Sequence, residues 1–281
     1  MSLSELPISE DVPELFKPIF NDYGLDITRY KPAFMKRRID RRMRILDLNT
    51  YSEYALVLKK EKSEFEELFE SLSINVTNFF RDFSVFDKFR LEIIPKIVSG
   101  LDKHDKIRIW SAGCASGEEA YSLAIMFAGE TSRYGNTIEI IANDVSEKAI
   151  TFAQNGRYIA NSIEKLPNSI IAKNFHMLTN VENNIEYEVN PSIKNLISFK
   201  VCDILSTDAK QMDVILCRNV LIYYEREAQE LIINKFYHSL KDTGYLVLGM
   251  DETMLGRRCE KLFHPSMARE RIYQKIPSKK H

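Results

Sequence analysis

Only four of the 281 residues are cysteine (Cys114, Cys202, Cys217, Cys259), and no two of them form a C-x-x-C pair. A disulfide scaffold or zinc ribbon is therefore excluded; buried, reduced thiols and no metal site are expected. Long apolar runs are also missing. None approaches the 18 residues of a membrane span, and with no secretory leader evident a cytoplasmic protein without membrane insertion is expected. Neither sign of charge is in excess: 39 Lys and Arg stand against 40 Asp and Glu, so no overall field recruits nucleic acid or membrane. Repeats and low-complexity segments are lacking as well. What remains is ordinary globular composition, 44% hydrophobic and 28% charged, long enough for one large domain or two smaller ones.

The stretch that organises the chain is Ile107–Glu119. Ile107, Ile109 and Trp110 read as a buried strand, small residues follow from Ser111 to Gly117, and a helix begins with Ala120, Leu123, Ala124 and Phe127 on one face. Strand, glycine turn and helix open a nucleotide-type α/β sheet, whose ligands sit at the carboxyl ends of the strands. The turn is not G-x-G-x-x-G, since only Gly113 and Gly117 are glycine, and Glu118 and Glu119 open the helix. Carboxylates there suit the helix dipole but repel a pyrophosphate. The pocket fits an adenosine without phosphates, and S-adenosylmethionine (SAM), with ribose hydroxyls and a cationic sulfonium, matches it.

Residues 1–74 read as an all-helical domain. A helix over Pro32–Leu46 places Met35, Ile39, Met43 and Leu46 on one buried face, and its other faces hold Lys36, Arg37, Arg38, Arg41, Arg42 and Arg44. Residues 28–46 carry eight basic side chains and one acid, a formal +7, whereas 47–74 carry seven acids and three lysines. Residues 75–100 read as a linker and first helix, with Val85, Phe86, Phe89 and Ile93 at helical spacing. Over 101–281 strands (107–110, 138–142, 197–201, 212–217, 245–248) alternate with helices (118–129, 146–154, 225–240), the mark of a parallel sheet. An insertion near 155–196 reads as a helix, Glu164–Phe175, plus a β-hairpin around Ile185–Val189, and 262–276 offers a final antiparallel pair. The fold class is α/β: a Rossmann-like sheet suited to SAM, with a helical N-terminal domain and a small β-subdomain.

Several polar residues stand where ligands bind, each beside a plainer reading. Asp144 ends the second strand, where an acid accepts ribose hydroxyls; the alternative is a helix N-cap. Arg218 and Asn219 emerge at the sheet's carboxyl edge after a buried strand, with Tyr223 one turn later; these could instead satisfy loop carbonyls and fill core. Asn75, Thr77 and Arg81 surround Phe79-Phe80, either walling a methyl-transfer pocket or forming a hydrophobic hinge.

Taken together, N-V-T-N-F-F-R-D (75–82), W-S-A-G-C-A-S-G-E-E-A-Y-S (110–122), A-N-D-V-S (142–146), N-G-R-Y (155–158) and C-R-N-V-L-I-Y-Y (217–224) resemble the CheR family of chemotaxis receptor methyltransferases. The likeness runs in order along nearly the whole chain, to G-M-D-E (249–252) and R-I-Y (271–273). It implies SAM contacts from Asn75, Thr77, Arg81, Glu119, Asp144, the Asp203-Ile204 pair, Arg218 and Asn219, with S-adenosylhomocysteine as product. The family usually has Asn-Leu at Asp203-Ile204, and His-Ser where this chain has Met250-Asp251. The resemblance further implies methyl esterification of glutamates on the cytoplasmic coiled-coil helices of chemotaxis receptors, setting receptor adaptation.

A glutamate carboxylate is ionised at neutral pH, so this reaction needs no general base. The site has to align nucleophile, methyl and sulfur and exclude water. Arg81 is the candidate for holding the substrate carboxylate and Tyr223 for positioning at the reacting centre. The basic helix, through Arg37, Arg38, Arg41, Arg42 and Arg44, is the candidate for docking an acidic receptor helix; pairing with the acidic 47–74 segment is the plainer reading. A monomer with no nucleic-acid partner is expected. A methyltransferase of RNA or of a small molecule, or a SAM-binding sensor without turnover, remains an alternative.

Overall fold

The structure is a computed structural model that describes residues 12–22, 26–72, 77–102, 105–131, 135–179, 185–254 and 259–278. The chain divides into two compact units: Met1–Ile74 with Ile222–Gln229, and Asn75–Leu221 with Glu230–His281. Among the described residues no helix is long and apolar enough to cross a membrane.

The first unit holds α1 (Val12–Asp22), α2 (Pro32–Ile45), α3 (Tyr51–Lys60) and α4 (Lys62–Leu72). Pro32 starts α2 where a missing N–H costs nothing, and α3 opens with a capping box between Thr50 and Glu53. Met35, Ile39 and Met43 are buried as their spacing predicts, and Phe34 joins them. Leu46 does not: it lies beyond the last helical residue as the C-cap and is exposed. Phe16 and Phe20 of α1 pack edge-on or tilted against Tyr54 and Phe65. Set into this apolar core is one carboxylate, Glu64. It accepts from Arg42 Nε at 2.9 Å, from Arg42 Nη2 and from the Tyr54 hydroxyl at 2.8 Å.

Among its described residues the second unit has ten strands: β1 (Lys106–Ala112), β2 (Thr137–Asp144), β3 (Arg157–Ile159), β4 (Phe175–Thr179), β5 (Ile185–Val189), β6 (Ile197–Val201), β7 (Met212–Cys217), β8 (Leu240–Leu248), β9 (Phe263–Met267) and β10 (Ile272–Lys275). Seven form one sheet in the order β6-β2-β1-β7-β8-β10-β9, parallel from β6 to β8, with β10 and β9 antiparallel at the edge. The central strands are near-continuous apolar runs, as burial on both faces requires. From β1 the chain moves to one side (β2, then β6) and then crosses to the other (β7), so the switch point lies between β1 and β7.

Helices α7 (Glu118–Thr131), α8 (Glu147–Asn155) and α12 (Arg226–Ser239) follow β1, β2 and β7. The helix expected after residue 83 is real but interrupted. It runs as α5 (Phe83–Lys88), a π-turn over Phe89–Ile93, and α6 (Ile94–Ser99), which carries Pro95 in its first turn. Proline has no N–H to give and its ring crowds the carbonyl four residues back, so the ladder widens by one residue there.

The insertion forms a separate sheet, β3-β5-β4, antiparallel throughout, where the sequence predicted a two-stranded hairpin. The missed strand β3 is three residues long, too short for alternation to register. The helix predicted over Glu164–Phe175 is shorter, because Pro167 disfavours helix at the residue before it; short helices lie at Ala160–Ile163 (α9), Asn168–Asn174 (α10) and Pro191–Lys194 (α11).

Candidate active site

Of the polar residues singled out in the sequence, Glu119, Asp144, Asp203, Arg218 and Asn219 stand at or follow the carboxyl ends of β1, β2, β6 and β7, which lie side by side in the sheet. The turn after β1 is pinned from β2: the carbonyl of Asn143 accepts from the amides of Gly113 and Cys114, both at 2.9 Å. Gly113 sits at φ +76°, and a Cβ there would come 2.6 Å from Val220 in the loop after β7. The turn is thus closed to any side chain on that flank.

Asp144 is buried, and its carboxylate accepts from the amides of Ala115 (2.9 Å) and Ser146 (3.0 Å). The helix-cap alternative is corrected here: the cap of α8 is Ser146, whose Oγ accepts from Ala149. Asp144 instead ties the second strand to the glycine turn, where Ala115 adopts a left-handed φ of 48°. Beyond β6, the Asp203 carboxylate closes a local turn onto the Leu205 amide at 2.7 Å, and Ile204 is buried. Asn143 links these strands, accepting from the Trp110 indole and donating to the Cys202 carbonyl.

Arg218 follows β7 with its side chain 1% exposed. Its guanidinium pairs with Asp82, donates to the Arg81 carbonyl at 3.0 Å and reaches Glu119 at 3.4 Å, with Phe86 5.7 Å beneath. Glu119 also accepts from Ser111 Oγ at 2.8 Å. Burial pushes the Glu119 carboxyl up from its ordinary value, and Arg218 pulls the other way. Glu118 is likewise pushed up by burial, opposed by its hydrogen bond from Ser116. Arg218 therefore clamps the 79–82 turn to the mouth of the sheet; the loop-carbonyl reading holds for Arg81, and two acids, Asp82 and Glu119, join it. That turn is strained: Phe80 and Asp82 lie at φ 51° and 57°, and the Phe80 amide is held by Ser122 Oγ at 2.8 Å. Thr77 lies half-buried just before it. Asn75 falls outside the described residues. Next to Arg218, Asn219 takes φ 60°, and its buried Oδ1 has no hydrogen-bond partner.

These groups fit SAM. Buried carboxylates suit hydroxyls and an ammonium group, the orphaned Asn219 acceptor calls for a donor, and acids at the head of α7 leave no place for phosphate.

The comparisons decide the family. Residues 75–270 match the model described as CheR methyltransferase, SAM binding domain, and residues 10–73 match CheR methyltransferase, all-alpha domain. The chain belongs to the CheR methyltransferase family. A chemotaxis protein methyltransferase of Borreliella burgdorferi is 30% identical over 258 residues, covering 89% of this chain and 90% of the relative. One from Listeria innocua is 34% identical over 250 residues, 88% of this chain and 92% of its own. Chemotaxis protein methyltransferase 2 of Vibrio cholerae is 30% identical over 260 residues, 87% of each chain. This CheR protein is accordingly a methyltransferase of chemotaxis with SAM as its cofactor.

The helical unit holds the remaining candidates. Tyr223 belongs to it, not to the sheet, because residues 222–229 cluster with 1–74. The Tyr223 carbonyl accepts from Lys31 at 2.9 Å, its ring meets Phe34 at 4.8 Å, and Tyr224 stacks on Tyr30 at 4.7 Å. Arg38 lies 5.1 Å and Arg37 5.9 Å over the Phe34 ring. The basic helix therefore begins beside Tyr223, although nearly 190 residues separate them in sequence. Arg37, Arg41 and Arg44 are exposed, whereas Arg42 is taken by Glu64 and, at 3.8 Å, by Glu67. For Arg42 the plainer reading, pairing with the acidic segment, holds.

Two residues central to this geometry were missed. Asp82 stands inside a motif that drew attention to Arg81, and its only signal is an acid preceding an apolar helix. Glu252, whose carboxylate accepts from the amides of Gly249, Asn219, Val220 and Leu221, was visible as a charge four residues past a buried strand.

Proposed function

We propose that this CheR methyltransferase esterifies glutamate side chains on the cytoplasmic helices of chemotaxis receptors, as a cytoplasmic monomer. The observation that carries the reading is the exposed guanidinium row on α2, Arg37, Arg41 and Arg44, in a protein whose charges otherwise balance. Such a row complements a helix that displays carboxylates. In the proposed division of labour the 1–74 domain docks the receptor, 75–100 connects, and 101–281 holds the cofactor.

Glu119, Asp144, Asn219 and the Asp203-Ile204 turn would hold SAM, which supplies an electrophilic methyl group when bound; Asn75 and Thr77 are assigned with them. Arg81 holds the incoming carboxylate loosely enough that loss of its charge in the transition state is not opposed. Tyr223 positions the reacting groups, so Tyr223→Phe is expected to lower kcat with SAM affinity unchanged. Arg218 acts on the cofactor through Glu119 and the 79–82 turn.

Transfer of labelled methyl from SAM to receptor fragments, followed by methanol release in mild base, tests the reaction class. An ester releases methanol; N-methyl groups on RNA or protein do not, and their persistence would end the glutamate reading.

For the cofactor, Asp144→Asn is expected to weaken S-adenosylhomocysteine by about 1.5–3 kcal/mol, the range for a charged hydrogen bond. Asparagine sets an NH2 against one of the two amides that Asp144 holds, so affinity is compared well below the variant's melting temperature. Unchanged affinity in calorimetry would remove Asp144 from the cofactor site.

A further inference from the structure

Glu252 lies four residues past β8, 3% exposed, in a place where no ion pair neutralises it among the described residues. Its carboxylate is instead solvated by backbone. Oε2 accepts from the amides of Gly249 (2.6 Å) and Asn219 (2.9 Å), and Oε1 from those of Val220 and Leu221, both at 2.7 Å. Three consecutive amides turn toward one anion only if the chain curls, and Asn219 at φ 60° supplies the curl. The fit is closed on the other side too. A Cβ on Gly249 would come 2.7 Å from the Asn219 amide and 2.7 Å from Glu252 itself. Because Cys217 pairs with Leu248, this one carboxylate ties together the carboxyl ends of β7 and β8 at the switch-point side of the sheet. Buried charge is expensive, and a core needing only a tight turn has cheaper ways to make one.

The loop so held carries Arg218 and Asn219 with its unpartnered Oδ1. We propose that Glu252 is a positioning residue for methyl transfer: by gathering four amides it fixes the loop that presents Arg218 and Asn219. Between Gly249 and Glu252, Asp251 is exposed, and Met250 packs against the core while its carbonyl accepts from Arg271 Nε at 3.4 Å.

The inference rests on the methyl-transfer reading for its turnover arm and on SAM binding alone for its other arm. Glu252→Gln keeps the size but turns an NH2 toward two of the four donors; Glu252→Asp keeps both oxygens one methylene short. Ile272→Ala, a buried truncation in β10, serves as the control for lost stability. In the full-length protein, well below each variant's melting temperature, Glu252→Gln is expected to weaken S-adenosylhomocysteine about tenfold or more, the scale for buried donors facing no acceptor. It should also cut kcat on receptor fragments with KM for the fragment unchanged, and Glu252→Asp should recover part of both. Ile272→Ala should melt earlier with affinity and kcat as in wild type. Wild-type affinity in Glu252→Gln, or equal losses in Ile272→Ala, overturns the proposal. If wild-type protein methylates no receptor fragment, the substrate reading has failed, and the affinity comparison still decides the role of Glu252.

Discussion

Arg218→Met is expected to cost about 3–5 kcal/mol of stability and to abolish measurable S-adenosylhomocysteine binding. Methionine fills much of the same volume, so the loss comes from charge and hydrogen bonds. The guanidinium, 1% exposed, faces Glu119 at 12% and Asp82 at 35%. Removing it leaves Glu119 as a buried carboxylate already pushed up by burial, with only Ser111 to solvate it. It also frees the 79–82 turn, whose left-handed Phe80 and Asp82 store roughly 1–3 kcal/mol each and hold that shape only because their surroundings impose it. Lysine should not rescue, since a point charge does not reach two carboxylates and a carbonyl in the fork that Arg218 uses. Asp82→Asn, by contrast, keeps an acceptor at the more exposed end and should cost far less. Denaturant melts with calorimetry distinguish these outcomes. An Arg218→Met protein that melts and binds as wild type would show that the turn is held by packing alone.

The order of elements was legible in the sequence because its periods are strong. Five strand candidates became β1, β2, β6, β7 and β8, all but β6 largely buried, and three amphipathic or apolar stretches became α7, α8 and α12. Strand β3 and the π-turn escaped because a three-residue strand has no period and a widened helix keeps nearly the same apolar spacing. Of the candidate residues, those that stand out by type, Glu119 at a helix head, Asp144 at a strand end, and Arg218 and Asn219 beyond an apolar run, all end or follow strands of the parallel sheet. What was not legible is pairing across long separations. Nothing near Asp82 points 136 residues onward to Arg218, and nothing near Glu252 points 33 residues back to the Asn219 amide. The same holds for Arg38, Phe34 and Tyr223, joined only when the loop after β7 clusters with the helical unit.

The arginines of α2 divide by the same logic, and the division gives the second large effect. Arg42 is not a docking charge that happens to be near an acid. Its side chain is 14% exposed, and it donates through two nitrogens to Glu64, at 5%, which also takes the Tyr54 hydroxyl. The Glu64 partnership pushes the Arg42 guanidinium up, and burial drives Tyr54 far above its usual range. Arg42→Glu places a second carboxylate against the first and should cost about 3–5 kcal/mol or more, unfolding the helical unit. Circular dichroism and limited proteolysis would read this as a lower first transition while S-adenosylhomocysteine still binds. Arg37→Glu with Arg41→Glu should do the opposite, since both side chains are exposed. The double variant should melt as wild type and bind the cofactor unchanged, yet raise the receptor-fragment KM many-fold. The wild-type KM should itself climb with salt, because exposed charges are screened over roughly 8–10 Å at 0.1–0.15 M. A KM unchanged by the reversal at both salt concentrations would reduce α2 to a solvated face, and loss of RNA binding in its place would move the substrate to nucleic acid.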